Sequence, residues 1–184
     1  MLRVEGLPIR AGGPALTFDV ADGRCVGLLG ADVPALLRLA ETLAGLRTPL
    51  VGRVWIDGPA SICLARAAHP RTTLGEHVGT IGAARGLTRS TVDEGIARLG
   101  LTGNMPLTTP SARAAAALLG ALIAGRGVLV LHDPFANLDA GVRAKAIDWI
   151  RALAAAPTSI VITGADERDV RAVSHSVIEI EAGR

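Results

Sequence analysis

The stretch Gly27–Leu46, GLLGADVPALLRLAETLAGL, decides how the rest of the chain is read. An apolar run, Cys25–Leu29, meets Gly30 and passes into a segment with helical periodicity. That order is the strand–turn–helix of a phosphate-binding turn. The residues after Gly30 are Ala31, Asp32, Val33, Pro34, Ala35, Leu36 and Leu37, with no further glycine, no lysine and no hydroxyl group. Asp32 is a good helix N-cap and Pro34 is tolerated in a first turn, so a helix is expected to open here. Leu36, Leu39, Leu43 and Leu46 follow at spacings of three and four and mark its expected buried face.

The flanking segments fit the same pattern. Leu16, Phe18 and Val20 alternate with polar or small residues, as a half-buried strand does. Gly52–Gly58, GRVWIDG, reads as a short strand closed by an Asp-Gly turn. Cys25–Leu29 is apolar throughout, as a strand covered on both faces would be. The middle, Thr73 to Leu107, is expected to be compact and helical in places. A capping box is expected at Ser90 and Asp93, with Val92, Ile96 and Leu99 on one face. Val128–Leu131, Ser159–Ile162 and Val177–Ile180 are strand candidates. A helix from about Gly141 has Val142, Ala146, Trp149 and Leu153 in register. Strands alternating with helices predict an α/β fold, a parallel sheet with helices on both faces.

Composition narrows the function. The chain has 184 residues and a formal net charge of +2, with arginines scattered along it, which makes no case for nucleic acid. Cys25 and Cys63 are far apart, which fits a reducing compartment without a disulfide framework. The apolar stretch Ala114–Gly125 is too short to span a bilayer and reads as a core helix. The start of the chain lacks the apolar region of a secretory signal. Glutamine and tyrosine are absent, and Lys145 is the sole lysine. A phosphate-binding lysine elsewhere in the chain is therefore excluded, unless Lys145 supplies it.

The order of these pieces resembles the nucleotide-binding subunit of an ATP-binding cassette (ABC) transporter. The resemblance is carried by FDVADGRCVGLLG, LAGLRTPLVGRVWIDG, TLGEHV, VLVLHDPFANLDAGVRAKAIDWIRAL and SIVITGADERDV…VIEIEAGR, in the family's order and near its spacings. It implies a mostly parallel sheet with flanking helices, an N-terminal antiparallel β subdomain and a small helical subdomain at about 74–118. It further implies one cassette domain over 1–184, of minimal length, without a C-terminal regulatory domain.

The positions that carry chemistry in that family are altered. In the family, backbone N–H groups and a lysine after Gly30 hold the phosphates, and a hydroxyl residue holds magnesium. The matching glycine positions are Val33 and Ala35, the lysine position is Leu36 and the hydroxyl position is Leu37. Arg38 lies two residues further along the helix, about 200° around it, and is expected to point away. The adenine-stacking aromatic would lie near Arg10–Gly13, where none stands. The magnesium-sensing glutamine would fall near Leu64–Ala67. The signature stretch matches Thr109–Ala112, which keeps the hydroxyls of Thr109 and Ser111 but no glycine. The magnesium-binding aspartate position is His132, the catalytic glutamate position is Asp133, and the histidine-switch position is Gly164. Asn137, Leu138 and Asp139 match the loop that meets the opposite subunit, and Asp139 doubles as a candidate N-cap.

A carboxylate at a helix start sits where the dipole and free N–H groups attract an anion. Asp32 is therefore expected to take the anion role itself and to oppose triphosphate, or to serve simply as a cap. His132 and Asp133 are expected to be a partly buried polar pair, since adjacent residues leaving a strand diverge and no third metal ligand is evident. The resemblance implies a membrane permease as partner, a homodimer or a heterodimer with another cassette, and a peripheral place on the cytoplasmic face of the membrane. With the motifs altered, ATP and magnesium are expected to bind weakly or not at all, and the role to be structural or regulatory. Two other readings stand beside it: an atypical but active ATPase, and a soluble interaction module built on the same fold. Losing one preorganised charge contact typically costs about 3–4 kcal/mol of transition-state stabilisation, and several are altered here.

Overall fold

The structure is a computed structural model that describes residues 1–10, 13–63, 71–125 and 127–180. Contacts divide the chain into two units: Met1–Ile62 with Gly125–Asp133 and Arg151–Arg184, and Cys63–Ala124 with Pro134–Ile150.

The first unit holds two sheets. Strands β1 (Leu2–Pro8), β2 (Ala15–Val20) and β4 (Arg53–Ile56) form an antiparallel sheet in the order β2-β1-β4. Strands β3 (Arg24–Gly30), β5 (Ala60–Cys63), β6 (Gly127–His132), β7 (Thr158–Gly164) and β8 (Ser176–Ile180) form a second sheet, order β5-β6-β7-β3-β8. The pairs β3·β7, β3·β8 and β6·β7 are parallel. Central strand β7 is buried along its whole length, as its unbroken run of apolar and small polar residues requires.

Helices cover both faces of the parallel sheet. Val26 and Leu28 of β3 join Leu36, Leu39 and Leu43 of α1 (Val33–Leu43) in one buried cluster with Val128, Val130 and Val161. Gly27 faces the other way: a methyl on it would meet Val170 Cγ1 of α6 (Glu167–Val173) at 2.5 Å. The same cluster takes in Leu2, Val4 and Val20, so the antiparallel sheet shares the core.

The second unit is helical. α2 (Leu74–Ala84), α3 (Arg89–Arg98) and α4 (Pro110–Ile123) pack pairwise. α5 (Ala140–Leu153) buries Ala146, Trp149 and Ile150, and the Arg98 guanidinium lies 4.6 Å from the Trp149 ring centre. The capping box of this unit is Thr73 with Glu76: the Thr73 N–H donates to the Glu76 carboxylate at 2.8 Å, and the Glu76 N–H donates back to Thr73 Oγ1 at 3.3 Å.

Four details differ from the sequence reading. Leu46 is 61% exposed, because α1 ends at Leu43 and the chain reverses at Gly45, φ +76°. There the Leu46 N–H donates to the Glu41 carbonyl at 2.8 Å and the Gly45 N–H to that of Thr42 at 3.0 Å, which closes the helix end. The cap of α3 is Thr88, not Ser90; Asp93 pairs instead with Arg89, and Ser90 with Glu94. The Asp57-Gly58 turn does not close a hairpin, since β4 pairs with β1 and the following β5 enters the other sheet. The alanine-rich helix begins at Pro110, earlier than its apolar run, because Thr109 caps it by accepting from the Ala112 N–H at 3.1 Å.

Gly52 and Gly58 separate two costs of adding a methyl. Both have positive φ, +82° and +88°. At Gly52 the methyl runs into the backbone of Gly6 and comes within 2.8 Å of the Glu5 carbonyl, whereas at Gly58 it meets nothing within 4 Å. Gly58→Ala is expected to cost about 1 kcal/mol from the left-handed backbone alone. Gly52→Ala is expected to cost about 2–4 kcal/mol. Urea midpoints of the two variants check this, and equal losses would contradict the packing described here.

Candidate functional site

The carboxyl ends of β3, β6 and β7 lie side by side, which is where ligands sit in open α/β sheets. The structure brings Gly30, Asp32, His132, Asp133, Thr163 and Gly164 to this edge.

β3 ends at Gly30, and α1 begins three residues later at Val33. The residues that the resemblance assigns to a phosphate-wrapping loop, Val33 to Leu36, are instead the first helical turn. A helix start normally leaves its first N–H groups free for an anion. Here they are used internally. The Val33 N–H donates to the Ala31 carbonyl at 3.1 Å, and the Leu36 N–H makes the first ordinary bond of the helix, to the Asp32 carbonyl at 3.0 Å. Pro34 has no N–H. The Ala35 N–H donates to Asp32 Oδ1 at 3.0 Å, which makes Asp32 the N-cap of α1.

Side chains follow the same logic. Leu36 is 1% exposed, inside the apolar cluster with Leu39, Val128 and Val161. Ala35 is buried too, while Val33 is 40% exposed at the helix start. Leu37 is half-buried. The sole lysine, Lys145, belongs to the second unit, where its ammonium group lies against Gly100 just past the end of α3.

At the ends of β6 and β7, His132 Nδ1 and Thr163 Oγ1 are 2.8 Å apart. The strand register places these two residues opposite each other. Burial lowers the imidazole below its ordinary pKa, against the smaller opposing effects of the Asp133 and Glu41 charges. Asp133 turns out of the strand with φ +46°, held by its N–H donating to the Thr163 carbonyl at 2.7 Å. Its Oδ1 lies 3.7 Å from where a Cβ on Gly164 would stand. The positions matched to the catalytic glutamate and the histidine switch are therefore neighbours. Thr163 is the His132 partner that sequence reading missed. No sequence signal marks it, since parallel pairing is invisible in spacing.

The second unit holds the remaining positions. Thr109 Oγ1 caps α4, and Ser111 Oγ donates to Asp139 Oδ2 at 3.0 Å. Asp139 stands just before α5, and its carbonyl accepts from the Arg143 N–H at 2.9 Å. Asn137 takes φ +62° in the loop between, with Leu138 half-buried beside it. The Ser111–Asp139 bond ties the signature-matched segment to the loop matched to the subunit contact. Residues 11–12, in the expected adenine region, and 64–67, where the glutamine would fall, lie outside the described residues. Neither cysteine is in a disulfide, both are buried, and burial pushes the Cys25 thiol up to about 12.

Comparison with known proteins places this fold. The chain superposes on the post-hydrolysis dimer structure of an ATP-binding cassette bound to ADP and Pi, with a TM-score of 0.82 at 15% identity, over 98% of this chain and 94% of that one. The fold is that of an ABC ATPase. In sequence it is 30% identical over 211 residues to the thiamine import ATP-binding protein ThiQ of Rhizobium meliloti, covering all of this chain and 87% of that protein. It is 29% identical over 190 residues to the Fe(3+) ions import ATP-binding protein FbpC of Escherichia coli O157:H7, covering 91% of this chain. The chain spans about half, 54%, of that relative's length. No family model matches the chain. It belongs to the family of ABC transporter ATP-binding proteins.

The His132 environment has a consequence for stability. In the unfolded chain the imidazole takes a proton as pH falls through about 6.5. Folded, it resists that proton because its pKa is lowered. Its contribution is therefore complete above about pH 6.5 and is lost as pH falls below it. His77 on α2 is lowered by burial as well and acts with the same sign. The urea midpoint is expected to fall between about pH 7.5 and about pH 5.5, and His132→Asn to flatten part of that fall. An unchanged slope in the variant would contradict the lowered pKa of the half-buried His132.

Proposed function

We propose that this chain is a cassette subunit that does not hydrolyse ATP and acts as a structural or regulatory partner in an ABC transporter. The observation that carries the reading is the closed start of α1, where the Asp32 carboxylate holds the Ala35 N–H, the Ala31 carbonyl holds the Val33 N–H, and Pro34 has none. A triphosphate needs those donors, a nearby cation and a magnesium ligand. The cation position is a leucine inside the core, and the magnesium position is a half-buried imidazole with a lowered pKa. These residues do not fit Mg-ATP. The named relatives are ATP-binding proteins, and the proposal departs from them on these residues alone.

The chain is read as one cassette domain with a helical subdomain at about 74–118. Its partners would be a membrane permease and a second cassette, on the cytoplasmic face of a membrane. The family's sites are composite, the phosphate loop of one subunit facing the signature of the other. In a homodimer both halves would be closed. Beside an intact cassette, this chain would offer Thr109 and Ser111 to the partner's ATP, with Thr109 already capping its own helix and Ser111 bound to Asp139. Asp133 keeps a carboxylate, one methylene shorter than glutamate, so its reach to an attacking water is reduced.

Steady-state phosphate release by the purified chain is expected to stay at background. Leu36→Lys is expected to remain without turnover and to lose about 2–4 kcal/mol of stability, because its ammonium enters an apolar cluster. Turnover near 1 s⁻¹, ordinary for an enzyme, in either protein would refute the proposal.

A further inference from the structure

The joint between β3 and β8 begins one residue before their ladder does. The register of the two strands opens at Val26 opposite Ser176. Just ahead of it Cys25 is fully buried, so its backbone groups need partners on this side. His175 supplies both. Its N–H donates to the Cys25 carbonyl at 2.8 Å, and its ring Nδ1 accepts from the Cys25 N–H at 3.1 Å. In a regular parallel pair that acceptor would be a backbone carbonyl of the neighbouring strand. Here the chain on that side is the end of α6, which runs to Val173, and an imidazole stands in for the carbonyl.

A ring nitrogen that accepts a hydrogen bond carries no proton, so in this arrangement His175 is a neutral imidazole with its hydrogen on Nε2. Its surroundings offer nothing to a second proton. The ring lines a crevice of about 330 Å³ together with Arg151 of α5 and Arg171 of α6, and among the described residues no carboxylate lines it. Arg151 Nε donates to the Ala172 carbonyl at 3.0 Å. The carboxylates of Glu167 and Glu179 are held by Arg171, at 2.6 and 3.3 Å. From β3 comes the Cys25 thiol, which burial keeps protonated. Ser174 Oγ donates to the Val170 carbonyl at 2.7 Å.

We propose that His175 is a pH-sensitive latch: neutral, it ties the start of β8 to β3, and protonated, it lets go. Nδ1 cannot accept from the Cys25 N–H and carry a proton at once. Protonation therefore turns the ring away and leaves a buried N–H without its acceptor. Histidine is the side chain suited to such a change, because its charge switches within the physiological pH range. Among the described strands β8 pairs with β3 alone, so the latch and that one ladder hold its start. The sign is fixed by the geometry: the bond is present at high pH and is lost as pH falls. The proposal does not depend on whether the nucleotide site is active.

Long-range proton–nitrogen NMR of the imidazoles and amide hydrogen exchange, both on the full chain, test it. At about pH 7.5 the His175 ring is expected to carry its hydrogen on Nε2 and none on Nδ1. Between about pH 7.5 and about pH 5.5 the protection of the Cys25 amide is expected to fall about tenfold relative to that of Val161, a buried residue of central strand β7. Acid effects through His132 and His77 act on the stability of the whole fold and move both amides together. His175→Asn, whose Oδ1 accepts without titrating, is expected to keep Cys25 protected at both pH values. A hydrogen on Nδ1 at the higher pH overturns the proposal, as does Cys25 protection that follows Val161 through the change. The same selective loss in His175→Asn also overturns it and assigns the acid effect to another group.

Discussion

The hydrogen bond from the Ala35 N–H to the Asp32 carboxylate, 3.0 Å long, is the contact on which the site depends. It caps α1 and lets helix begin at Val33, directly after a two-residue turn from β3. Starting the helix there carries Leu36 inward, to 1% exposure, and makes it part of the cluster that joins both sheets of the first unit. One short side chain thus couples the packing of the core to the closure of the turn. A helix start is an electrostatically favourable place for a negative charge. In this chain the charge is covalently supplied.

The same economy recurs at the other family positions. His132 finds Thr163, Ser111 finds Asp139, and Thr109 caps its own helix. These three groups, at positions that the family turns toward nucleotide, have internal partners here. Buried or half-buried polar groups need such partners, since an unsatisfied one costs about 1–3 kcal/mol. Polar groups satisfied within the fold are stable without a ligand and gain less from one. Asp133 and Gly164 are neighbours, but glycine offers no side chain to work with that carboxylate.

Most of the architecture was legible in the sequence, because it rests on local signals. The apolar runs at Cys25–Leu29 and Val128–Leu131 gave strands, and Asp32 with Pro34 gave a helix start. What was not legible depended on partners distant in sequence. Strand β1 reads as an unremarkable LRVEGLP until β2 and β4 pair with it. The Asp57-Gly58 turn carries a hairpin signal, but the chain changes sheets there. Leu46 fits the helical spacing of α1, yet Gly45 reverses the chain one residue earlier. At the site, the altered identities were visible as letters. That the N–H groups of the first turn are all consumed, and that Leu36 belongs to the core, required coordinates.

Thermal unfolding of the purified chain with and without millimolar Mg-ATP tests the closed helix start most directly. A ligand held only by the folded state adds about 2.7 kcal/mol at a hundredfold excess over its dissociation constant, a shift of several degrees for a chain of this size. No shift is predicted, because the donors that would hold the phosphates are already bonded to Asp32 and to the turn's own carbonyls. A clear, saturable rise in midpoint would contradict the account and mean that the turn opens to take nucleotide.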